Sequence, residues 1–302
     1  MERITRKLLE GALHLFASLP LGVSRWIGEV IGKTNHLLGT RAARVTHDNL
    51  ALCFPALSVK ERVSLEKCSL IHTGQTMMEI PAVWLGNFER VQGWILGVEN
   101  EHLLDEAINQ GRGVLVLLPH HGNWEMFNAY FASRGKMTAL YQPPRQDLLK
   151  PLMQGVREKF GNELVATNVK GLARLYRCLE QGQIVTVLPD QVPASGEFVP
   201  FFGHDALTDV LVSRLLKKTG AAAVCCVVIR QNRGFKVRFS RVEEAIYSSQ
   251  LMESLGALNS SIEGCIADQL EQYQWDYKRF RERPVGMKKL YKFNDEADLF
   301  HE

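Results

Sequence analysis

Two histidines and a glutamate follow one short apolar stretch, and these side chains offer the clearest chemistry in the chain. The stretch reads Gly113-Val-Leu-Val-Leu-Leu-Pro-His-His-Gly-Asn-Trp-Glu125. A turn at Gly122-Asn123 would let the Glu125 carboxylate reach one imidazole nitrogen of His120 and fix its tautomer. The other nitrogen would then accept a proton from a substrate hydroxyl. We therefore predict that His120 is a general base and that Glu125 orients it.

The elements around this pair must place it at the end of a strand. Residues 113–118 are aliphatic or small without alternation, which predicts a buried, parallel-type strand that Pro119 ends. We predict Asn123 as the N-cap of the helix that follows. His120 would then lie at the carboxyl end of a strand, where open α/β sheets bind ligands. The backbone N–H groups of Gly122 and Asn123 are the predicted oxyanion donors.

A second stretch has the same organisation. Ile184-Val-Thr-Val-Leu-Pro reads as another buried strand, and it ends in the polar pair Asp190 and Gln191. Further strands are predicted at 137–141 and 220–229. The alternating residues 234–242 predict the edge strand of a hairpin. The expected fold class is therefore α/β, with a mixed central sheet flanked by helices.

Composition is consistent with one well-packed domain. The 302 residues are 46% hydrophobic and 23% charged, which is enough for a full α/β core. The net charge of +3 gives no reason to expect nucleic acid as a partner. We divide the chain into a helical cover with a membrane-surface segment (1–90), an α/β core (91–292) and a loose acidic tail (293–302), within one structural domain overall.

The first thirty residues predict a helix with one apolar face. Its longest apolar run is shorter than the roughly 18–20 residues that span a bilayer. The pattern predicts an N-terminal helical segment that lies on a membrane surface, and an ordinary helix packed on the core is the alternative. Basic residues cluster near both ends of the chain, where they either face an anionic surface or form solvated helix faces.

The string His-His-Gly-Asn-Trp-Glu resembles the His-x4-Asp/Glu box of the lysophospholipid acyltransferase superfamily. Within it, the chain resembles the branch of lipid A late (lauroyl/myristoyl) acyltransferases of Gram-negative bacteria. Other segments fit the same resemblance: Asn49 with Phe54-Pro55, Asp190-Gln191, Val199-Pro-Phe-Phe-Gly203, and Tyr273-x-Trp275 with Arg279-Phe280. The chain departs from the family pattern at Tyr141-Gln142-Pro143, at Ala206-Leu207-Thr208-Asp209 and at Tyr277.

The resemblance implies transfer of a fatty acyl chain from an acyl carrier protein thioester to a hydroxyl of a lipid A precursor, a phosphorylated glucosamine lipid with Kdo sugars. Neither a Gly-x-Ser-x-Gly turn nor a cysteine beside the box offers a nucleophile, so direct attack without an acyl-enzyme is expected. The resemblance also implies no cofactor, and a peripheral or monotopic place on the cytoplasmic face of the bacterial inner membrane. The implied substrate-binding residues are Arg157, Asp190, Gln191, Arg214, Phe201 and Phe202.

Three alternatives remain open. The departures from the family pattern leave room for a different lipid acceptor or for acyl-CoA as the donor. A non-catalytic lipid-binding protein is a second reading. Under any reading, Phe201 and Phe202 either line an acyl groove or are ordinary core residues. A metal hydrolase using His120, His121, Glu125 and Asp190 is the third, but adjacent histidines at a strand end point in opposite directions, so no metal site is predicted.

Overall fold

The computed structural model describes residues 11–141 and 160–292. The first part of the chain is helical, as predicted, because its apolar residues recur at helical spacing. Residues 11–18 are helical, and four further helices follow: α1 (Leu21–Leu37), α2 (Arg41–Cys53), α3 (Val59–Leu85) and α4 (Phe88–Gln92). None of the described helices is long and apolar enough to cross a membrane.

Helices α1 and α3 approach each other through glycines. A Cβ atom on Gly74 of α3 would lie 2.2 Å from the carbonyl oxygen of Gly28 on α1, so neither helix tolerates a side chain at this crossing. The start of α3 is fixed by a capping box in which Ser58 and Glu61 bond each other's backbone N–H groups. Helix α3 is therefore held in place both at its start and along its length.

The second part of the chain alternates strands and helices. The strands are β1 (Ile95–Glu99), β2 (Val114–Leu117), β3 (Met137–Tyr141), β4 (Glu163–Ala166), β5 (Ile184–Val187), β6 (Glu197–Phe201), β7 (His204–Thr208), β8 (Ala222–Gln231) and β9 (Gly234–Ser240). The helices are α5 (His102–Asn109), α6 (Met126–Ala132), α7 (Val169–Glu180), α8 (Leu211–Thr219) and α9 (Leu251–Ile266).

Seven of these strands form one mixed sheet, in the order β1-β9-β8-β2-β5-β3-β4. Every neighbouring pair is parallel except β8 and β9, and β6 and β7 form a separate antiparallel hairpin. The predicted mixed sheet with flanking helices is confirmed. Strand β2 lies at the centre: Leu115 and Leu117 pack in one apolar cluster and Val114 and Val116 in the other. Burial on both faces explains why its sequence does not alternate.

Two details of the predicted sheet are wrong. Strand β9 was expected at an edge, but it lies between β8 and β1. Strand β1 was not predicted, because Gly97 interrupts its apolar residues and leaves neither an unbroken apolar run nor an alternation. Asn123 was expected to cap a helix, but α6 begins only at Met126 and the Asn123 amide donates to Glu79 on α3.

The two segments at either end of the family resemblance pack against each other. The Asn49 side chain on α2 donates hydrogen bonds to the backbone carbonyls of Trp275 (2.7 Å) and Tyr277 (2.9 Å). The Trp275 ring lies against Phe54, with ring centroids 5.5 Å apart. The C-terminal segment is thereby held beside the carboxyl ends of the central strands.

Candidate active site

The register of two neighbouring strands brings His120 and Asp190 together. Strands β2 and β5 are parallel, with Leu117 opposite Val187, and each is followed by a Leu-Pro dipeptide. His120 and Asp190 each lie three residues past these partners, so they meet at the carboxyl edge of the sheet. The Asp190 carboxylate bonds His120 twice, at Nδ1 (2.8 Å) and at the backbone N–H (2.8 Å).

The charge state of Asp190 determines which nitrogen of His120 carries the proton. Burial alone would raise the pKa of Asp190, but the charge of His120 and the two hydrogen bonds from it outweigh burial and hold the pKa below its usual value. The carboxylate is therefore ionised and accepts from Nδ1–H. This leaves a lone pair on His120 Nε2, which lies 3.2 Å from the side-chain amide nitrogen of Gln191. The imidazole is thus fixed in the tautomer that a general base needs.

Glu125 does not hold the imidazole as the spacing predicted. Its carboxylate accepts hydrogen bonds from Trp84 Nε1 (3.0 Å) and from the Asn128 side chain (3.3 Å), while Nδ1 of His120 already bonds Asp190. Burial raises the pKa of Glu125, and the Trp84 bond and the nearby His120 charge offset part of this rise. The orienting carboxylate is therefore Asp190. A catalytic role for Glu125, which lines the same cavity as His120, stays a prediction.

The predicted oxyanion donors are also engaged elsewhere. The Gly122 N–H donates to the carbonyl of Gln272 (2.9 Å), and the Asn123 N–H donates to the carbonyl of Val228 (3.1 Å). Gly122 has a φ of +59°, and a Cβ there would lie 1.9 Å from the Val228 carbonyl oxygen. The turn is pressed against β8, so both N–H groups point into the protein and not toward a substrate. The prediction that these two N–H groups stabilise an oxyanion is therefore wrong.

A cavity of about 390 Å³ opens beside His120 Nε2. Most of its walls are apolar, and they include Leu118, Phe127, Met137, Ala139, Leu140, Leu164, Val187, Leu188, Leu211 and Val212. The Trp124 ring stands edge-on to the imidazole, with ring centroids 4.8 Å apart. An apolar chain fits this space by burial of its methylene groups.

The aromatic pair expected to line an acyl groove lies elsewhere. Phe201 is 1% exposed and packs in the core, with the Arg279 guanidinium over its ring. Phe202 contacts Phe54 and Trp275, and neither phenylalanine borders the cavity beside His120. The cavity beside His120 is lined instead by residues of β3, β5 and α8. The prediction that Phe201 and Phe202 line an acyl groove is therefore wrong. Both belong to the small hairpin of β6 and β7 and not to the central sheet.

Of the remaining predicted substrate contacts, two lie near His120 and one cannot be located in the described part of the chain. Gln191 lines the cavity, and its side-chain nitrogen lies beside His120 Nε2. Arg214 on α8 borders a neighbouring groove that also contains Gln191. Arg157 lies outside the described residues. The structure also brings Trp84, Gln274 and Tyr277 to the site, and no sequence motif pointed to Trp84. The His120–Asp190 pair did have a signal, the matching Leu-Pro dipeptides that follow β2 and β5.

His121 points away from the cavity. It is 1% exposed, and its Nε2 bonds the backbone carbonyl of Gln269 (2.9 Å). Burial lowers the pKa of His121 to about 4, so the ring is neutral. Over residues 11–141 and 160–292, no group of three or more His, Cys, Asp or Glu side chains could hold a metal ion.

A buried ionic cluster supports the turn from behind. Glu79 on α3 is fully buried and accepts from Arg25 Nε (2.7 Å) and from Arg230 Nε (2.9 Å) at Oε1, and from Arg230 (2.7 Å) and Asn123 (3.1 Å) at Oε2. The Thr76 hydroxyl donates to the Gly122 carbonyl at 2.7 Å. We call these side chains the Glu79 cluster: Arg25, Thr76, Glu79, Asn123 and Arg230.

Comparison with known proteins gives a consistent result across nearly the whole chain. A family model described as bacterial lipid A biosynthesis acyltransferase matches residues 3–282. The lipid A biosynthesis lauroyltransferase and palmitoleoyltransferase of Escherichia coli (strain K12) are each 28% identical over 286 residues, covering 93% of this chain and 92% of each relative. A phosphatidylinositol mannoside acyltransferase of Mycobacterium tuberculosis is 29% identical over 126 residues, 39% of either chain.

Proposed function

The chain belongs to the bacterial lipid A biosynthesis acyltransferases, and from this membership and the site geometry we propose that it moves a fatty acyl chain from an acyl carrier protein thioester to a hydroxyl of a lipid A precursor. One observation supports the proposed acyl transfer. The Asp190-bonded imidazole of His120 lines an apolar cavity, and its Nε2 contacts Gln191, which lines the same cavity. Such a site combines a base for a hydroxyl with a compartment for an acyl chain.

The proposed reaction needs one proton relay. His120 Nε2 takes the proton of the acceptor hydroxyl as the hydroxyl oxygen attacks the thioester carbonyl carbon. The C–S bond then breaks, and the imidazolium returns the proton to the departing thiolate. Asp190 holds Nδ1–H throughout and stabilises the imidazolium by its charge.

Direct attack is favoured over an acyl-enzyme. Among the described residues, the side-chain partners of the His120 ring are the Asp190 carboxylate and the Gln191 amide, and neither is a serine or cysteine that the ring could activate. The hydroxyl must displace Gln191 from Nε2. The freed amide is then beside the reacting carbonyl, where it can donate a hydrogen bond to the developing oxyanion.

In this proposal the ionised form of Glu125 acts through its charge. The Trp84 and Asn128 side chains both donate to its Oε2, while burial raises the pKa of the carboxyl. Its charge interacts with that of His120 and so favours the imidazolium that forms during attack. Glu125 therefore supports the base without holding it.

We place the protein at the cytoplasmic face of the inner membrane, as a peripheral or monotopic protein. Helix α1 supports this placement because it exposes apolar side chains along one side: Val23, Trp26, Val30 and Leu37. Trp26 is 64% exposed, and an amphipathic helix with an exposed tryptophan favours a lipid–water interface. Sedimentation with anionic phospholipid vesicles tests this, and Trp26→Ser together with Val30→Ser should weaken binding.

A different lipid acceptor is the second candidate. The chain departs from the family pattern at Ala206-Leu207-Thr208-Asp209, and one of its relatives is named for a phosphatidylinositol mannoside. Lipid analysis of a deletion strain separates the two. Loss of one acyl chain from lipid A supports the first proposal, whereas unchanged lipid A with another lipid missing supports the second.

The direct test is acyl transfer by the purified protein. Acyl carrier protein and coenzyme A thioesters are offered as donors against a panel of lipid acceptors. The proposal expects transfer to a lipid A precursor, with the carrier protein as the better donor. Binding of lipid without turnover of any donor would instead indicate a non-catalytic lipid-binding protein.

A further inference from the structure

A second, more polar groove adjoins the apolar cavity. Its volume is about 940 Å³. The two spaces share one wall, formed by Thr167, Gln191, Val192, Pro193, Asp209 and Leu211. We call this space the basic groove because three arginines line it: Arg41, Arg214 and Arg281.

The basic groove also contains two acids. Asp209 accepts a hydrogen bond from the N–H of Leu211 (2.8 Å), and Asp276 accepts one from the Thr73 hydroxyl (3.3 Å). Burial raises the pKa of both carboxyls, and the charges of Arg214 at Asp209 and of Arg41 at Asp276 offset part of this rise. With three arginines against two acids, the basic groove carries an excess of positive charge.

Two of its arginines have their donors available. Within the described part of the chain, the guanidinium groups of Arg214 and Arg281 form neither an ion pair nor a hydrogen bond with the protein. A guanidinium presents several N–H donors in one plane and bonds phosphate oxygens in pairs. Both side chains thus have the geometry and the charge that recognise a phosphate group.

The basic groove begins where the reaction must take place. The Gln191 amide nitrogen lies 3.2 Å from His120 Nε2 and 3.4 Å from the side-chain oxygen of Gln274, which lines the basic groove. An acyl chain in the apolar cavity leaves its carbonyl carbon near Nε2. The basic groove adjoins this position and has room for the polar remainder of a substrate.

We propose that the basic groove is an anion subsite that binds a phosphate group of one substrate through Arg214 and Arg281, with Arg41 adding to the positive field. This inference rests on the proposed function, because both of its substrates carry phosphate. The phosphate comes either from the phosphopantetheine arm of the donor or from the sugar of the acceptor.

The test compares substrates that differ only in that phosphate. One pair is acyl-phosphopantetheine and acyl-pantetheine, and the other is a phosphorylated lipid acceptor and its dephosphorylated form. We expect the double variant Arg214→Gln/Arg281→Gln to raise the KM of one phosphate-bearing substrate about 10- to 100-fold with kcat nearly unchanged. Its preference over the phosphate-free member of that pair should disappear, and the pair affected identifies the source of the phosphate.

Arg112→Gln is the matched control, because Arg112 is an exposed arginine before β2, at the opposite end of the sheet. It should leave all four KM values unchanged. The proposal is overturned if the double variant keeps both preferences, or if it loses activity equally with phosphate-bearing and phosphate-free substrates.

Direct binding separates this inference from the proposed function. Calorimetry measures binding of 4′-phosphopantetheine, of pantetheine and of a disaccharide monophosphate to the wild type and to the double variant. Weaker binding of a phosphate-bearing probe to the variant, in a protein that transfers no acyl group, would reject the function and keep the subsite. Acyl transfer with phosphate preferences that survive in the double variant would reject the subsite and keep the function.

Discussion

Two of the buried carboxylates with basic partners, Glu79 and Asp190, lead to opposite properties. Glu79 receives four hydrogen bonds from Arg25, Arg230 and Asn123, and every one of these groups is enclosed by protein. Asp190 also bonds its basic partner twice, but His120 has a second nitrogen that reaches the apolar cavity. A buried ion pair therefore supports chemistry when its basic member keeps a reactive atom at a cavity. Otherwise it supports structure.

The largest effect is expected at the reactive nitrogen. His120→Ala removes the base and should lower the rate of acyl transfer by about 10²- to 10⁴-fold. The variant should keep its fold but melt at a lower temperature, because the buried Asp190 carboxylate keeps its bond to the backbone N–H of residue 120 and loses the imidazole. Steady-state assays with a thioester donor measure this, and wild-type activity in the variant would remove His120 from the mechanism.

Substitution of Glu79 in the Glu79 cluster should lower the free energy of unfolding. Glu79→Ala leaves two buried arginines without their carboxylate and should lower the free energy of unfolding by about 3–5 kcal/mol, measured by urea denaturation. Glu99→Ala is the control, because its partners Lys236 and Arg238 are partly exposed, and it should cost less than about 1 kcal/mol. Similar costs for the two variants would show that the Glu79 cluster stabilises the fold no more than a partly exposed ion pair does.

The two carboxylates near His120 can be ranked. Asp190→Asn should lower activity by roughly 10²-fold, because an amide no longer requires the proton on Nδ1 and the wrong tautomer becomes available. Glu125→Gln keeps Asp190 in place and should have a smaller effect, about 10-fold, from the lost charge. Transfer rates of the two purified variants decide this, and a larger loss in Glu125→Gln would return the orienting role to Glu125.

The smallest effect is expected at the hydroxyl that ties the cluster to the turn. Thr76→Val removes the hydrogen bond to the Gly122 carbonyl and the acceptor for Arg230, and should lower the free energy of unfolding by about 1–2 kcal/mol. Thr76→Ser keeps the hydroxyl and is the matched control. Equal stability of the two variants in urea would mean that this hydroxyl does not anchor the turn.

Much of the fold could be predicted because local patterns specify it. The unbroken apolar residues of β2 and β5, the capping box at Ser58 and the helical spacing before residue 90 each indicate one structure. Strand β1 could not be found in this way, since it forms by pairing with β9, a neighbour more than a hundred residues away. Its stability comes from the sheet and not from its own sequence.

The residues of the site could be predicted from the sequence, but the hydrogen bonds between them could not. His120 and Asp190 could both be singled out from the polar ends of two strands, yet their hydrogen bond depends on the strand order, which sequence spacing does not contain. The spacing of five residues favoured Glu125 instead, but the turn carries that side chain toward Trp84 on α3. Likewise, the N–H groups of Gly122 and Asn123 are used by β8 and by the segment after α9, both distant in sequence.

The glycine contact between α1 and α3 has a consequence for the whole enzyme. Because backbone meets backbone there, α1 cannot shift against α3 as helices cushioned by long side chains can. Helix α3 in turn carries Thr76, Glu79 and Trp84, which hold the turn and Glu125. If α1 rests on the bilayer as proposed, the elevation of His120 above the lipid headgroups is constant, and only an acceptor whose hydroxyl protrudes to that elevation is acylated.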